Sequence, residues 1–572
     1  MSIVIGINSF HADSSAAIFK DGELLFAIEE EKLNRKKHWA GFPEISILKC
    51  LEYTGINKNM VTDITLNSDP TSNLHKKIPY FFAKYMFGRK KNEIFNRIKN
   101  KITIKNFLIN KLSFNNKINI HYIDHHLSHI ASSFYPSKFN EALAVSVDGF
   151  GDFASVNIAS CKDNEIRILD KIFFPDSLGI FYEAMTQLLG FESYGDEYKL
   201  MGLAAYGKPV FFDEILKKLF HKKNILKLNQ KYFNHTNKNF SYKFEGIPKQ
   251  NKIYNEKIFE IFSRDLIKEK KVELAASIQK IYEFYLIKIL KKAIKMYKSD
   301  NLCLSGGCAL NSSANGKIKN ELEFKNIFIP YAPADGGGAI GSALAFIRRN
   351  NNLTKFKNLN SPYLGPIYNE TDIINEINKI DQEKFIIKKY QNKNELNEIV
   401  AEKISGGRIV GWFQDRIEFG ARALGNRSIL ADPRNKNIKN IINLKIKKRE
   451  DFRPFAPSIL SEFKSDWFVG DNYSNYYMET VLKIKDEKKD IVPSIVHVDQ
   501  TCRVQSVSVK NNLKFYNLIK SFYKLTDVPI LLNTSFNENE PIVCSPKEAL
   551  ECFLRTQMDD ITIDNFLITR KN

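Results

Sequence analysis

Cysteine is scarce here and follows no pairing pattern. The chain has seven (Cys50, Cys161, Cys303, Cys308, Cys502, Cys544 and Cys552), an odd number, with no C-x-x-C spacing. That argues against a disulfide framework and a zinc ribbon, and it fits a reducing compartment. No run of 18 apolar residues occurs, so no segment is expected to cross a membrane as a helix. The opening MSIVIGINSFHADSS has no basic stretch ahead of a long apolar core, so no signal peptide is expected and the expected location is cytoplasmic. Disorder and collagen-like repeats are excluded as well, because hydrophobic residues make up 43% and charged residues 26%. What remains is a chain of 572 residues, long enough for three or four domain-sized units and a sizeable core.

Acidic residues are outnumbered, 65 against 85 lysines and arginines, for a formal net charge of +20. Such a balance can mark a nucleic-acid binder. Lysine, asparagine and isoleucine are abundant throughout, however, as an A/T-biased genome would produce. The charge is also uneven. Between Thr71 and Ile120 there are 12 basic residues and one acid, Glu93, a local net of +11. Aromatic residues interleave with these charges (Tyr80, Phe81, Phe82, Tyr85, Phe87, Phe95, Phe107). The pattern predicts amphipathic helices with a cationic face. That face is either a solvated outer surface or an attractor for an anionic acceptor or membrane surface.

Short apolar runs and polar turns organise the first 350 residues. Ile3 to Ile7, Ala16 to Phe19 and Leu24 to Ile28 read as strands, the last two joined at Asp21-Gly22. The same grammar returns at Leu143 to Val147, Ala154 to Ala159 and Ile166 to Phe174, around the turn Asp148-Gly149-Phe150-Gly151-Asp152. Two copies of one β-turn-β-turn-β unit imply a duplicated domain. Leu302 to Leu304 then enters Ser305-Gly306-Gly307 and a helix expected over Ala309 to Ile318. Pro333-Ala334-Asp335-Gly336-Gly337-Gly338 runs into another over Ala339 to Arg349. Glycines that present backbone N–H groups at a helix start form ready anion sites. A polar connector is expected over 351–393, and a second composition begins at Gly406.

Three groups of residues carry chemistry. His125-His126-Leu127-Ser128-His129 places His125 and His129 on one helical face, where two imidazoles can share a metal ion, or else form a solvated polar helix end. A third ligand decides between these, and Asp335 is chemically suited; two histidines and a carboxylate suit Fe(II), Mn(II) or Zn(II). His11, on the first turn, is a candidate general base or a turn histidine bonded to Asp13. Arginines set among apolar residues, as in Phe452-Arg453-Pro454-Phe455, are costly to bury without an anion. They point to a small phosphorylated ligand, or to structural pairing with acids such as Asp415, Glu418 and Glu450.

The longer motifs resemble the bacterial O-carbamoyltransferase family over almost the whole chain. They are HADSSAA, RKKH, HHLSH, the Val147-Asp148-Gly149 turn, YKLMGLA, SGGCALN, PADGGGAIGSALA, EFGARALGNRSILADPR, REDFRPFAPSIL, CRVQSV and LLNTSFNENEPIV. Ala421 stands where the family usually has proline, and His-Ala-Asp where many members have His-Asp. The resemblance implies a mixed α/β chain: a duplicated RNase H-like ASKHA domain over 1–350, a basic helical insertion at about 71–120, a connector over 351–393, and a YrdC-like domain over 394–572. It further implies carbamoyl-adenylate formation from carbamoyl phosphate and Mg-ATP in the C-terminal domain. Carbamoyl transfer to a small-molecule or glycan-type hydroxyl acceptor then follows in the N-terminal domain, with release of AMP. By resemblance, His125, His129 and Asp335 hold the metal, with iron expected first. Lys447, Arg453, Arg503, Ser535 and nearby Arg422 bind carbamoyl phosphate. Gly306, Gly307, Asn311, Gly336 and Gly337 contact nucleotide. His11, Lys37 and Asp148 fall at the transfer site. No nucleic-acid partner is expected. The rivals are a threonylcarbamoyl transferase acting on tRNA and a non-catalytic basic binding protein.

Overall fold

A computed structural model describes residues 2–571 except 86–103, 164, 222–223, 238–239, 244, 352–355 and 471–473. Residues 86–103 of the basic insertion expected at about 71–120, Arg89, Lys90 and Lys91 among them, therefore lie outside the described residues. The chain divides into two compact units: residues 2–31 with 38–360, and residues 361–571 with 32–37.

The first unit contains two five-stranded sheets of one design. In the first, β1 (Ile3–Asn8), β2 (Ser15–Lys20) and β3 (Glu23–Glu29) form an antiparallel meander, and β4 (Asp63–Leu66) and β5 (Asn119–Tyr122) extend β1 in parallel, giving the order β3-β2-β1-β4-β5. In the second, β6 (Glu141–Gly151), β7 (Ala154–Lys162) and β8 (Glu165–Phe173) repeat the meander. Parallel strands β9 (Asn301–Ser305) and β10 (Asn326–Phe328) then repeat the extension, in the order β8-β7-β6-β9-β10. Strands β1 and β2 are buried almost from end to end, which explains why they read as continuous apolar runs.

Each fifth strand is followed by a helix, α1 (His125–Ser137) after β5 and α2 (Gly338–Asn351) after β10. α1 packs on β6 and β9, α2 on β1 and β4, and the two helices pack on each other. They approach so closely that a Cβ on Gly341 would lie 1.9 Å from the Ser128 carbonyl oxygen. Gly341→Ala must push the helices apart at a backbone atom beside His129. It is expected to cost about 1–3 kcal/mol, read as a lower midpoint in denaturant unfolding with the slope unchanged.

Two expectations shift. The helix after Gly306-Gly307 spans Ser312–Glu321, because Gly307–Leu310 forms a 3₁₀ turn and Asn311 caps the helix by accepting from Ala314 N. The stretch over 361–393 belongs to the second unit, with a helix at Glu370–Ile377 and a strand at Phe385–Lys389 that pairs with Phe566–Arg570 at the edge of its sheet.

That second unit is built on an eight-stranded mixed sheet. A short piece of early sequence completes it. Lys32 is buried and donates to the Glu418 and Gly420 carbonyl oxygens at 2.6 and 3.1 Å. Arg35 donates to the Pro541 and Ile542 carbonyls and pairs with Glu548 at 3.0 Å. A buried ammonium is tolerable only with such acceptors.

On the helix Leu74–Tyr85, Leu74, Ile78 and Phe82 are exposed at 43%, 49% and 59%, an apolar outer row four residues apart. Among the described residues, no helix is long and apolar enough to cross a membrane.

Candidate functional site

In the first unit, Asp124 caps α1 by accepting from Leu127 N at 3.0 Å, so the helix starts at His125. His125 and His129 then project one turn apart from the same face, with their Nε2 atoms 3.0 Å apart. β6 bulges between Val147 and Gly151, and Asp148 sits in that bulge. Its Oδ2 lies 3.1 Å from His125 Nε2 and 3.0 Å from His129 Nε2. Asp335, in the turn that opens α2, places Oδ1 3.4 Å from each of the same nitrogens. All four ligand atoms lie within 4.8 Å of one another.

Hydrogen bonding holds this group from behind. His125 Nδ1 faces the Asn67 carbonyl at 3.3 Å, and the His125 N–H donates to Asp152 at 2.9 Å. Asp148 Oδ1 accepts from Gly149 N at 2.7 Å and Gly307 N at 3.2 Å. Burial opposes charge on Asp148, but the hydrogen bonds from both histidines outweigh it and hold the carboxyl well below its usual range. Burial likewise opposes charge on His129, yet its bonds to Asp148 and Asp335 lift it to about 9. Burial and the neighbouring Asp148 raise Asp335. His126 turns away to Ser146 Oγ and the Ala154 carbonyl, and burial followed by the charge of His125 drops it to about 3.

The donor set fits a divalent cation. Two buried imidazoles bring the same nitrogen to within 3.0 Å of each other, beside both carboxylates. Two carboxylates converge on the same point, and their charge is neutralised when a divalent ion lies between neutral imidazoles. Asp148, expected at the transfer site, is thus a fourth candidate ligand.

The other first-unit residues are placed as follows. His11 Nδ1 lies 3.8 Å from Asp335 Oδ2, with its ring 4.9 Å from that of His125. Gly306 donates to the Pro333 carbonyl and Gly337 to the Ala334 carbonyl. The Gly336 carbonyl accepts from Ser15 Oγ at 2.7 Å. Asn311 exchanges two hydrogen bonds with Gln279 while capping its helix.

Lys37 falls in the second unit, exposed, where its charge bears on Lys447. Lys447 is buried and donates to the Ser535 carbonyl and hydroxyl oxygens at 2.5 and 3.2 Å and to the Asn537 carbonyl and Oδ1 at 2.8 and 2.7 Å. Burial, then the charge of Arg449, holds its pKa well below the usual lysine value. Arg503 is opposed in the same way, by burial first and then by Arg422 and Arg449. Its Nε is buried with no hydrogen-bond partner among the described residues. Arg453 pairs with Glu450. The structure therefore brings Arg422 and Arg503 together. It adds Arg449, two residues beyond Lys447, whose sequence position alone does not mark it as a site residue. Arg449 is held by Asn443 Oδ1 at 2.8 Å and by the Phe455 ring. Guanidinium groups do not lose their protons at neutral pH, so Arg422, Arg449 and Arg503 concentrate positive charge in the second unit.

A family model described as the carbamoyltransferase N-terminus matches residues 3–344, and one described as the carbamoyltransferase C-terminus matches residues 401–570. The chain belongs to the carbamoyltransferase family. It is an enzyme of the carbamoyltransferase type. It is 32% identical over 586 residues to nodulation protein NolNO of Sinorhizobium fredii, covering 99% of this chain and 80% of that protein. A protein of Synechocystis, sll1178, is 35% identical over 610 residues, covering 100% and 97%. Nodulation protein U of Azorhizobium caulinodans is 32% identical over 246 residues, covering 42% and 40%. Among solved structures, component A of the Acidaminococcus fermentans (R)-2-hydroxyglutaryl-CoA dehydratase aligns over 60% of this chain and 97% of its own, at 14% identity and a TM-score of 0.34.

Proposed function

We propose that this carbamoyltransferase is ATP-dependent and acts on a hydroxyl acceptor, in two half-reactions divided between its units. In the first, carbamoyl phosphate, ATP and one water give carbamoyl-adenylate, phosphate and pyrophosphate in the second unit. In the other, the acceptor oxygen bonds to the carbamoyl carbon, the bond to the adenylate phosphate oxygen breaks, and AMP leaves from the first unit. The observation that carries this reading is the cationic gathering of Lys447, Arg422, Arg449 and Arg503. Carbamoyl phosphate is a small dianion, and its charge answers the repulsion these groups exert on one another.

Arg503 and Arg422 are the donors to the phosphoryl oxygens in this reading. Ser535 and Asn537 hold the Lys447 ammonium in place, within the field of Arg449. In the first unit, His11 takes the acceptor's hydroxyl proton, and its position against Asp335 and His125 keeps the imidazole fixed. Fe(II), with Mn(II) or Zn(II) as alternatives, held by His125, His129, Asp335 and Asp148, supplies Lewis acidity toward a phosphate oxygen when bound. Two sheets of identical strand order support the duplicated RNase H-like, ASKHA-type reading of the first unit. The second unit is read as YrdC-like by resemblance.

The test is AMP release. With carbamoyl phosphate, Mg-ATP and a panel of sugars and other hydroxyl compounds, AMP is expected to appear in step with an acceptor heavier by one carbamoyl group, read by mass spectrometry. ATP turnover that ignores carbamoyl phosphate refutes the proposal.

A further inference from the structure

Asp13, Glu31 and His38 form a second cluster in the first unit and share no residue with the four-ligand group above. Asp13 lies on the turn between β1 and β2. Glu31 stands two residues beyond the end of β3, and His38 is where the chain re-enters the unit. Each offers one ligand atom, and these atoms lie within 4.8 Å of one another. His38 Nδ1 is 2.8 Å from Asp13 Oδ1, while Glu31 Oε2 accepts the His38 backbone N–H at 2.7 Å.

The ring orientation decides which nitrogen is offered. A Cβ on Gly195, whose φ is +85°, would lie 2.4 Å from His38 Nε2, and Tyr194 meets the ring edge-on at 5.7 Å. The Nε2 side is therefore packed against the chain, and Nδ1 is the nitrogen turned toward the carboxylates. The side chains of His38 and Asp13 are 26% and 29% exposed, enough to leave coordination positions for water or a substrate oxygen. Among the described residues, no lysine or arginine pairs with Asp13 or Glu31. Burial raises Glu31, and the charges of Asp13 and Glu29 add to it against the lowering influence of His38. Two carboxylates thus face one imidazole, with no other counter-charge in contact among the described residues.

We propose that Asp13, Glu31 and His38 bind a second divalent cation, of the Mn(II) or Zn(II) class, beside the four-ligand group. Two oxygens and one imidazole nitrogen suit such an ion, and partial exposure makes the site open. The two groups are neighbours through the His11–Asp13 turn, since His11 reaches Asp335 and a Cβ on Gly336 would lie 3.5 Å from the Asp13 carbonyl oxygen. The proposal does not depend on which acceptor or cosubstrate the enzyme uses.

The experiment counts ions on the full chain. Protein stripped with a chelator is titrated with Mn(II) and read by electron paramagnetic resonance and elemental analysis. Wild type is expected to bind two ions per chain. His129→Ala should lose one and keep the other. The double variant Asp13→Asn, Glu31→Gln should lose the other, its affinity there falling by more than the roughly 10–100-fold that loss of an outer-shell partner causes. His38→Gln should behave like the double variant, with an unchanged circular dichroism spectrum certifying its fold. A wild-type protein that binds one ion, with none in His129→Ala, overturns the proposal. Two ions retained in both cluster variants overturn it as well, and either result leaves the trio a hydrogen-bonded imidazolium between carboxylates.

Discussion

Arg503→Ala is expected to abolish ATP–pyrophosphate exchange that depends on carbamoyl phosphate, while the ligand-free protein keeps its fold and its thermal midpoint. Arg503 sits in the field of Arg422 and Arg449, with burial and both like charges working against it and its Nε without a partner among the described residues. Without an anion that arrangement is unfavourable, so removing one guanidinium relieves repulsion in the empty site. With an anion the sign reverses. Each charged hydrogen bond to phosphate contributes about 1.5–3 kcal/mol, which at about 1.4 kcal/mol per decade is roughly 10- to 150-fold in binding. Truncation that removes two such bonds carries exchange below detection. The paired readout separates a ligand-binding arginine from a structural one: a structural arginine would lose stability with or without carbamoyl phosphate. In wild type, carbamoyl phosphate should raise the thermal midpoint, and in Arg503→Ala that rise should vanish. Exchange within twofold of wild type, or a lowered ligand-free midpoint, removes Arg503 from the site. Arg453→Ala is the companion test. Its pairing with Glu450 predicts a smaller loss, because part of its charge is already answered.

Local signals explain what could be read from the residues. The strands around Ile3, Ala16, Leu24, Leu143, Ala154 and Ile166 were visible because each is a short apolar run closed by a polar turn, and the duplicated grammar of those turns is the duplicated sheet order itself. Strands β4 and β5 were not read, since Asp63–Leu66 and Asn119–Tyr122 are four residues each and carry mixed polarity. The H-x-x-x-H pair was legible from helical spacing. Asp148 as its partner was not, because the bulge in β6 that aims it at the histidines is a tertiary feature. Lys37 shows the same limit. Its sequence neighbours Glu31 and His38 belong to the first unit, whereas Lys32–Lys37 is built into the second through Lys32 and Arg35. No spacing rule reports such an excursion. From the sequence, Glu418 stands only as an ion-pair partner for the arginines. Its Oε1 accepts the backbone N–H groups of Leu424, Asn426 and Arg427, so it organises the GARALGNR loop from within.

His129→Ala is expected to divide the two half-reactions. The variant should make carbamoyl-adenylate at the wild-type rate, since Lys447, Arg422 and Arg503 lie in the other unit. Transfer to the acceptor should fall by about two orders of magnitude or more, beyond the 10–100-fold typical of losing an outer-shell partner. Metal at the four-ligand group should become substoichiometric, because one of its two imidazoles is gone. The carboxylates then matter in their own right. Asp148 is held ionised chiefly by hydrogen bonds from His125 and His129, and Asp335 is already raised by burial and by Asp148. Removing His129 strips a donor from both, so the metal-free variant should unfold about 1–3 kcal/mol more easily, the cost of a buried acceptor left without its partner. His129→Gln restores a side-chain donor without the imidazole nitrogen; it should regain much of that stability and none of the transfer. Pyrophosphate exchange, acceptor carbamoylation, metal content and unfolding midpoint, measured together on both variants, settle the assignment. Wild-type carbamoylation by His129→Ala at substoichiometric metal would make the histidine pair a structural device alone.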